Sequence, residues 1–142
     1  MHTAAEILRE KGGEVWSIKP DEAIIKALHI MASKSVGALL VIEDGKLMGI
    51  VTERDYARKV ALEERSSRRS LVREIMSTKV LCVGPEQTVQ ECMALMSDKR
   101  VRHLPVLDHK KIVGVISIGD LVKTIIAEQK FEIEQLQYYI NH

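Results

Sequence analysis

The spacing of apolar residues changes several times along the first half of the chain. Between Pro20 and Gly37, apolar residues recur at helical spacing behind two acidic residues, which predicts an amphipathic helix. The uninterrupted apolar run at 38–42 is typical of a strand buried on both faces. A turn at 43–46 containing Asp-Gly leads into a returning strand at 47–52. With a short β-type run at 15–18 and a helix from Thr52 to about Leu62, this half predicts the order β-α-β-β-α.

The second half repeats this order. Strands are predicted at 80–83, 103–107 and 112–117, and helices from about 88 to 98 and from 118 onward. The stretch Gly49-Ile50-Val51-Thr52-Glu53-Arg54-Asp55 aligns with Gly114-Val115-Ile116-Ser117-Ile118-Gly119-Asp120 at an offset of 65 positions. No gap is needed from Val15 to Asp55, so the chain contains an internal duplication. The predicted fold class is α/β (α+β) with two β-α-β-β-α repeats.

A short lead-in helix precedes each repeat. Thr3 and Glu6 form a capping-box pattern for the first, and residues 71–76 echo that helix before the second repeat. The polar stretch 63–70 is the predicted linker. We therefore assign residues 1–65 to the first repeat with its lead-in helix, and 66–142 to the second repeat with a C-terminal helix extension. A half of about 65 residues is barely stable alone, so one compact unit with a shared core is expected.

The last helix is predicted to run beyond the part that the first repeat matches. Phe131, Ile133, Leu136 and Ile140 continue its apolar stripe toward the end of the chain. The two completed repeats offer no partner surface on which this apolar stripe could pack. It predicts a subunit interface, and hence a homodimer, or a clasp across the module.

Composition argues against several classes of function. The net charge is +1 with 29% charged residues, so global charge gives no case for a nucleic-acid or membrane partner. Aromatic residues make up only 4%, too few for a platform that stacks single-stranded bases. No apolar run approaches the ~20 residues of a membrane span, and the N-terminus lacks the pattern of a signal peptide. The expected location is the cytoplasm.

The sequence contains no pattern of a metal site or a known catalytic motif. Cys82 and Cys92 lie in apolar patterns and are expected to be buried, unreactive thiols. No Cys-x-x-Cys or His-x-x-x-His spacing is present, nor a nucleophile elbow, a Gly-x-Gly-x-x-Gly or a P-loop. We therefore predict no metal, no catalytic residues and no enzymatic activity.

A hydroxyl residue followed three positions later by an aspartate stands at the start of a helix in both repeats. Thr52 with Asp55, and Ser117 with Asp120, fit simple helix caps. They also fit a site for a sugar and a phosphate. A helix N-terminus offers free amides to an anion, and a carboxylate one turn in can accept ribose hydroxyls. Both interpretations stay open, although repetition in register favours the site.

Basic residues are concentrated in two places. Arg102 and His103 lie between a helix and a buried strand, which fits either a solvated turn with a near-core histidine or neutralisation of a phosphate. The arginines within 65–73 favour a solvated linker over a nucleic-acid patch, because no aromatic residues interleave with them.

Together these residues resemble a pair of CBS (cystathionine-beta-synthase) domains, the tandem called a Bateman module, over about residues 5 to 127. The resemblance depends on Pro20, the run 36–42, the stretch 49–56, Arg102-His103-Leu104-Pro105-Val106 and the stretch 114–121. It implies repeats packed sheet to sheet about a pseudo-twofold axis. It also implies two clefts for adenine nucleotides such as AMP, ATP, NAD or S-adenosylmethionine, and dimerisation into a flat disc of four repeats.

The resemblance implies roles for individual residues. Asp55 and Asp120 would hold ribose hydroxyls, and Thr52 and Ser117 would contact ribose or phosphate. The adenine pockets would be lined by backbone groups of Lys19-Pro20, Gly37-Ala38, Gly84-Pro85 and His103-Leu104, with the adjoining Pro105. Phosphates would meet Arg54, Arg102 and His103. Because Gly119 stands where the first copy has Arg54, the two sites are expected to differ. Arg54 could instead turn outward toward Glu53 or Glu63.

The expected function is that of a stand-alone regulatory module that senses an adenine nucleotide and needs no catalytic cofactor. Ligand binding would shift the population of module shapes or dimer forms and so act on a partner protein in trans. Two alternatives remain open: a dimeric interaction scaffold with empty clefts, and a small nucleotide-processing enzyme with Asp55 or Asp120 as its base.

Overall fold

The computed structural model describes residues 2–142 and contains helices and strands in the predicted alternation. The helices are α1 (Ala4–Lys11), α2 (Ile24–Lys34), α3 (Glu53–Tyr56), α4 (Val72–Ile75), α5 (Val89–Lys99) and α6 (Ile118–Asn141). The strands are β1 (Ser17–Ile18), β2 (Ala38–Glu43), β3 (Lys46–Thr52), β4 (His103–Asp108) and β5 (Lys111–Ser117). A π-helical segment, Ala57–Ala61, continues α3. The mixed α/β class and the tandem repeat are confirmed.

The chain divides into two compact units, each with its own apolar core. The first unit is Val15–Val80, and the second unit combines the described residues up to Glu14 with Leu81–His142. The core of the first unit contains Ile24, Val41 and Val51, all at most 1% exposed. This arrangement differs from the single shared core that the length of each half suggested.

The first lead-in helix, α1, belongs to the second unit. The amides of Ala4 and Ala5 donate to the carbonyls of Gln87 and Pro85 at 2.8 and 2.9 Å, and Val89 donates to His2 at 3.0 Å. These bonds tie the N-terminal segment to the start of α5.

The second lead-in helix, α4, belongs to the first unit through the same set of bonds. Val72 and Arg73 donate to the carbonyls of Glu22 and Pro20, each at 2.9 Å, and Ile24 donates to Ser70 at 3.0 Å. The division expected at residue 65 keeps each lead-in helix with the repeat that follows it, whereas the structure exchanges them. A short amphipathic helix shows in its sequence that it needs a partner, but not which repeat provides one.

The linker also decides where α2 begins. The sequence pattern opens this helix at Pro20, but it begins at Ile24 with no side-chain cap at Ala23. The amides of Ile24 and Ile25 donate instead to the carbonyls of Ser70 and Ser67, at 3.0 and 2.8 Å. A helix start needs acceptors for its free amides, and the linker backbone supplies them here.

The first unit contains a three-stranded sheet and the second a two-stranded one. Strand β1 pairs parallel to β2, which pairs antiparallel to β3. In the second unit β4 pairs antiparallel to β5, and the strand predicted at 80–83 is reduced to a single parallel bridge between Val83 and Val106. In the first unit the Leu40 amide donates to the Trp16 carbonyl at 3.1 Å. The matching residue in β4 is Pro105, which has no N–H, so the equivalent bond cannot form and the pairing ends.

The glycine of each duplicated stretch makes room for a lead-in segment. A Cβ on Gly49 would lie 2.6 Å from the carbonyl oxygen of Ser77 and 3.0 Å from the sulfur of Met76. A Cβ on Gly114 would lie 2.5 Å from a methyl carbon of Leu8. Both positions therefore need glycine because an exchanged lead-in segment packs directly on the strand.

Helix α6 continues well beyond the core of the second unit. Its large apolar side chains from Ile126 onward are between 55% and 82% exposed, namely Ile126, Phe131, Ile133, Leu136, Tyr138, Tyr139 and Ile140. Among residues 2–142, no helix is both long and apolar enough to cross a membrane.

Candidate functional site

The start of α3 is a complete capping box. The Thr52 hydroxyl accepts from the Asp55 amide at 3.2 Å, and Asp55 Oδ2 accepts from the Thr52 amide at 2.9 Å. The Thr52 hydroxyl also donates to Oδ2 at 3.1 Å. The cap therefore uses one carboxylate oxygen of Asp55 and leaves Oδ1 outside it.

The start of α6 repeats this arrangement. The Ser117 hydroxyl accepts from the Asp120 amide at 3.2 Å, and Asp120 Oδ2 accepts from the Ser117 amide at 2.8 Å. Within residues 2–142, no donor lies against Oδ1 of Asp120. The side chains of Asp55 and Asp120 are mostly buried, at 17% and 19% exposed.

Each helix start is also bonded to the residue that precedes the first strand of its hairpin, β2 or β4. The Glu53 amide donates to the Gly37 carbonyl at 3.1 Å, and the Ile118 amide donates to the Arg102 carbonyl at 2.9 Å. Strand pairing then sets Ala38 opposite Thr52, and His103 opposite Ser117. The residues expected to line each site are thus brought together twice by one backbone geometry.

A lysine lies on the aspartate in both units, and sequence reasoning missed both. Lys59 Nζ is 3.5 Å from Asp55 Oδ1 and donates to the Ile75 carbonyl at 3.0 Å. Lys11 Nζ is 2.7 Å from Asp120 Oδ2 and donates to the Val115 carbonyl at 2.8 Å. Lys59 is four positions from Asp55, a spacing that could have shown the pair. Lys11 is 109 positions from Asp120, and no local pattern connects them.

The surroundings of Asp120 and His103 set their protonation states. Burial alone would raise the pKa of Asp120, but the hydrogen bonds from Lys11 and Ser117 outweigh it and hold that pKa below 3.8. Burial, and then the charge of Lys11, lower the pKa of His103 below 6.5 against the opposing charge of Asp120. His103 is therefore uncharged at neutral pH, and can offer a hydrogen bond but not a cation.

Arg54 and Gly119 both lie at the surface in the first turn of their helices. Among residues 2–142, Arg54 forms no ion pair with Glu53, Glu63 or any other acid. A Cβ on Gly119 would meet only the Ser117 hydroxyl, at 3.6 Å, which is an ordinary contact. At this position the two copies therefore differ in charge, and the room for a side chain does not account for the difference.

The other predicted residues occupy two kinds of position. Lys19 and Arg102 are exposed, whereas Pro20, Leu104 and Pro105 are buried. A buried side chain at these positions packs in the core, so only its backbone can contact a ligand. The Pro105 carbonyl already accepts from the Val83 amide at 3.0 Å.

The cysteines and possible metal ligands add no further site. Burial raises the pKa of both thiols, Cys82 and Cys92, and Glu91 raises that of Cys92 further. Within residues 2–142, no group of three or more His, Cys, Asp or Glu side chains could hold a metal ion.

The duplicated geometry matches a known family. A family model described as "CBS domain" matches residues 4–62 and again 72–127. The chain belongs to the CBS-domain family. Tandem CBS domains are in general regulatory, ligand-binding modules, and their general ligands are adenine nucleotides.

Similar CBS-domain proteins occur in distant organisms. The mitochondrial CBS domain-containing protein CBSX3 of Arabidopsis thaliana is 37% identical over 147 residues, which cover 97% of this chain and 71% of that protein. The CBS domain-containing protein YhcV of Bacillus subtilis is 32% identical, and the match covers 76% of each chain. A solved CBS-domain structure from Burkholderia ambifaria MC40-6 is 51% identical with a TM-score of 0.87, covering 90% of this chain and 96% of its own.

Proposed function

We propose that this protein is a regulatory module that binds an adenine nucleotide at the capped starts of α3 and α6. The observation that supports it most is that each helix cap uses only one of the two carboxylate oxygens of its aspartate. Asp55 and Asp120 cap their helices through Oδ2, which leaves Oδ1 outside the cap to accept a hydroxyl of a ribose. In Asp55 this oxygen also lies 3.5 Å from Lys59 Nζ. A helix cap and a ligand site are thus compatible in the same residue, and both interpretations of the sequence pattern can hold.

The remaining contacts would come from the surrounding backbone and cations. Thr52 and Ser117 would face the ribose or a phosphate, and the first-turn amides would attract the phosphate. Arg54 and Arg102 are exposed cations beside the two helix starts and would pair with phosphates. His103, being neutral, would contribute a hydrogen bond. Backbone groups of Lys19-Pro20, Gly37-Ala38, Leu104 and Pro105 would line the adenine pockets.

Regulation would act on another protein. The ligand would favour one conformation or assembly of the module over another, and the preference of the ligand for that state sets the size of the shift. A homodimer formed through the exposed part of α6 is part of this proposal. The regulated partner would bind in trans.

A thermal-shift panel with AMP, ATP, NAD and adenosine tests the proposal. A ligand at 100 times its dissociation constant stabilises the folded state by about 2.7 kcal/mol, which gives a measurable rise in Tm. We expect at least one adenine nucleotide to raise Tm, and chromatography of the incubated nucleotide to show no product. No shift with any of these ligands would favour an interaction scaffold, and product formation would favour an enzyme.

A further inference from the structure

The Asp120 site contains a cation that comes from the opposite end of the chain. Lys11, the last residue of α1, places Nζ 2.7 Å from Asp120 Oδ2 and 2.8 Å from the Val115 carbonyl. Two of the three N–H donors of the ammonium are used in these bonds. The third has no acceptor within residues 2–142, and the Lys11 side chain is 37% exposed.

The backbone of the second unit fixes the position of Lys11. Leu8 packs on Gly114, where a Cβ would lie 2.5 Å from it, and a Cβ on Gly13 would lie 2.8 Å from the Val113 carbonyl oxygen. Gly12, at φ 96°, ends α1 directly after Lys11, and its amide donates to the Leu8 carbonyl at 2.8 Å. The ammonium is therefore held beside the site by packing of α1 on β5, in addition to its own ion pair.

Gly119, the residue before Asp120, lies at the surface in the first turn of α6. Gly119 has no side chain, and its neighbourhood would admit one without a close contact. In the first copy this helical position holds Arg54. The second site thus lacks a cation at this position of its helix and has Lys11 of α1 beside its aspartate.

We propose that Lys11 is the phosphate-binding residue of the Asp120 site and has there the role that Arg54 has at the Asp55 site. The inference rests on the proposed function, because it assigns a specificity residue to one of the two nucleotide sites. Lys11 donates one N–H to Asp120 and one to the Val115 carbonyl, and directs the third at a ligand phosphate. It therefore makes the second site prefer a phosphorylated ligand to the free nucleoside.

Calorimetric titration of Lys11→Met with AMP and with adenosine tests this assignment. We expect AMP affinity at one of the two sites to fall about ten- to a hundredfold, because a hydrogen bond from a charged group is lost. Adenosine affinity and the other site should be unchanged. Arg54→Met should give the same result at the other site. Repeating the titrations in the Asp120→Asn background identifies which site Lys11 serves.

Two further variants make the test specific. Lys123→Met removes an exposed lysine from α6 in the same unit and is expected to leave AMP affinity at its wild-type value. The double variant Lys11→Met with Gly119→Arg supplies a cation from α6, as in the first copy, and should restore most of the AMP affinity. If Lys11→Met does not fold, as judged by circular dichroism, Lys11→Gln gives a second neutral variant for the same comparison.

The results separate this inference from the proposed function. Wild-type protein that binds neither AMP nor adenosine overturns both. Wild-type binding with an unchanged ratio of AMP to adenosine affinity in Lys11→Met overturns the role of Lys11 alone. A rise in adenosine affinity in that variant would also overturn it, since Lys11 would then be shielding Asp120 from the ribose.

Discussion

Asp120 shows how one side chain can stabilise a helix and remain available to a ligand. Its Oδ2 accepts from the Ser117 amide and from Lys11, while its Oδ1 has no partner within the part of the chain that the structure describes. The sequence showed the hydroxyl and the aspartate three positions apart, and both capping boxes are present as that spacing predicts. It could not show Lys11, because a contact between residues this far apart depends on the path of the whole chain.

The depressed pKa of Asp120 predicts a pH dependence of stability. Because the folded-state pKa lies below the unfolded value of about 3.8, the ionised carboxylate stabilises the fold fully above that value. This contribution is lost as the pH falls through the folded-state pKa. Urea unfolding should therefore show wild type more stable than Asp120→Asn at pH 7, with a difference that shrinks below about pH 4. A difference that stays constant from pH 7 to pH 3 would contradict the ion pair with Lys11.

At the scale of the elements, the two hairpins were predictable from sequence, whereas the start of α2 and the strand at 80–83 were not. Strands β2 and β3, and β4 and β5, begin and end within one residue of the predicted bounds, because apolar runs and turn residues are local signals. The start of α2 shifted to Ile24 because its amide acceptors come from the linker. The strand at 80–83 was reduced to a bridge because Pro105, its neighbour on β4, has no N–H to donate. Both misses arise from contacts between segments distant in sequence.

The close contact at Gly49 gives a prediction with a matched control. Gly49→Ala places a methyl group 2.6 Å from the backbone oxygen of Ser77, which must move, so we expect a loss of about 1–3 kcal/mol in the free energy of unfolding. Gly119→Ala meets no such contact and replaces a glycine inside a helix, so it should be neutral or stabilising by up to about 1 kcal/mol. Urea denaturation of both variants measures the difference. Equal losses in the two would show that α4 and Met76 do not pack on β3 as described.

At the scale of the whole molecule, the sequence did not show which unit each lead-in helix joins. The repeats were visible from the register of 65 positions, and the family model matches them in the same order along the chain. The compact units do not coincide with the repeats, because each unit combines one repeat with the lead-in helix that precedes the other repeat. A pattern identifies an amphipathic helix, but its partner follows only from which surfaces remain uncovered in the folded chain.

The exposed part of α6 predicts the assembly state. From Ile126 onward this helix presents seven large apolar side chains to solvent, and helices in proteins are stabilised mainly by packing of their apolar face. We expect a homodimer by sedimentation equilibrium at micromolar concentration, and a monomer after truncation at Ala127. Leu136→Lys should weaken the dimer, whereas Gln137→Lys, on the helix face that carries Lys130, Glu134 and Asn141, should not. A wild-type monomer, or a truncated protein that still dimerises, would contradict the prediction.

The most direct test of the central claim is calorimetric titration of Asp55→Asn and Asp120→Asn with AMP. An asparagine can keep the cap through its oxygen but replaces the other carboxylate oxygen by an amide donor, so the helix start survives while the ribose acceptor is lost. Glu91→Gln makes the same change in the Thr88–Glu91 capping box of α5, which the proposal does not make a site. The account predicts that each aspartate variant loses about ten- to a hundredfold in affinity at one site, while Glu91→Gln binds as wild type does. Unchanged AMP affinity in both aspartate variants would show that the duplicated aspartates serve only as helix caps.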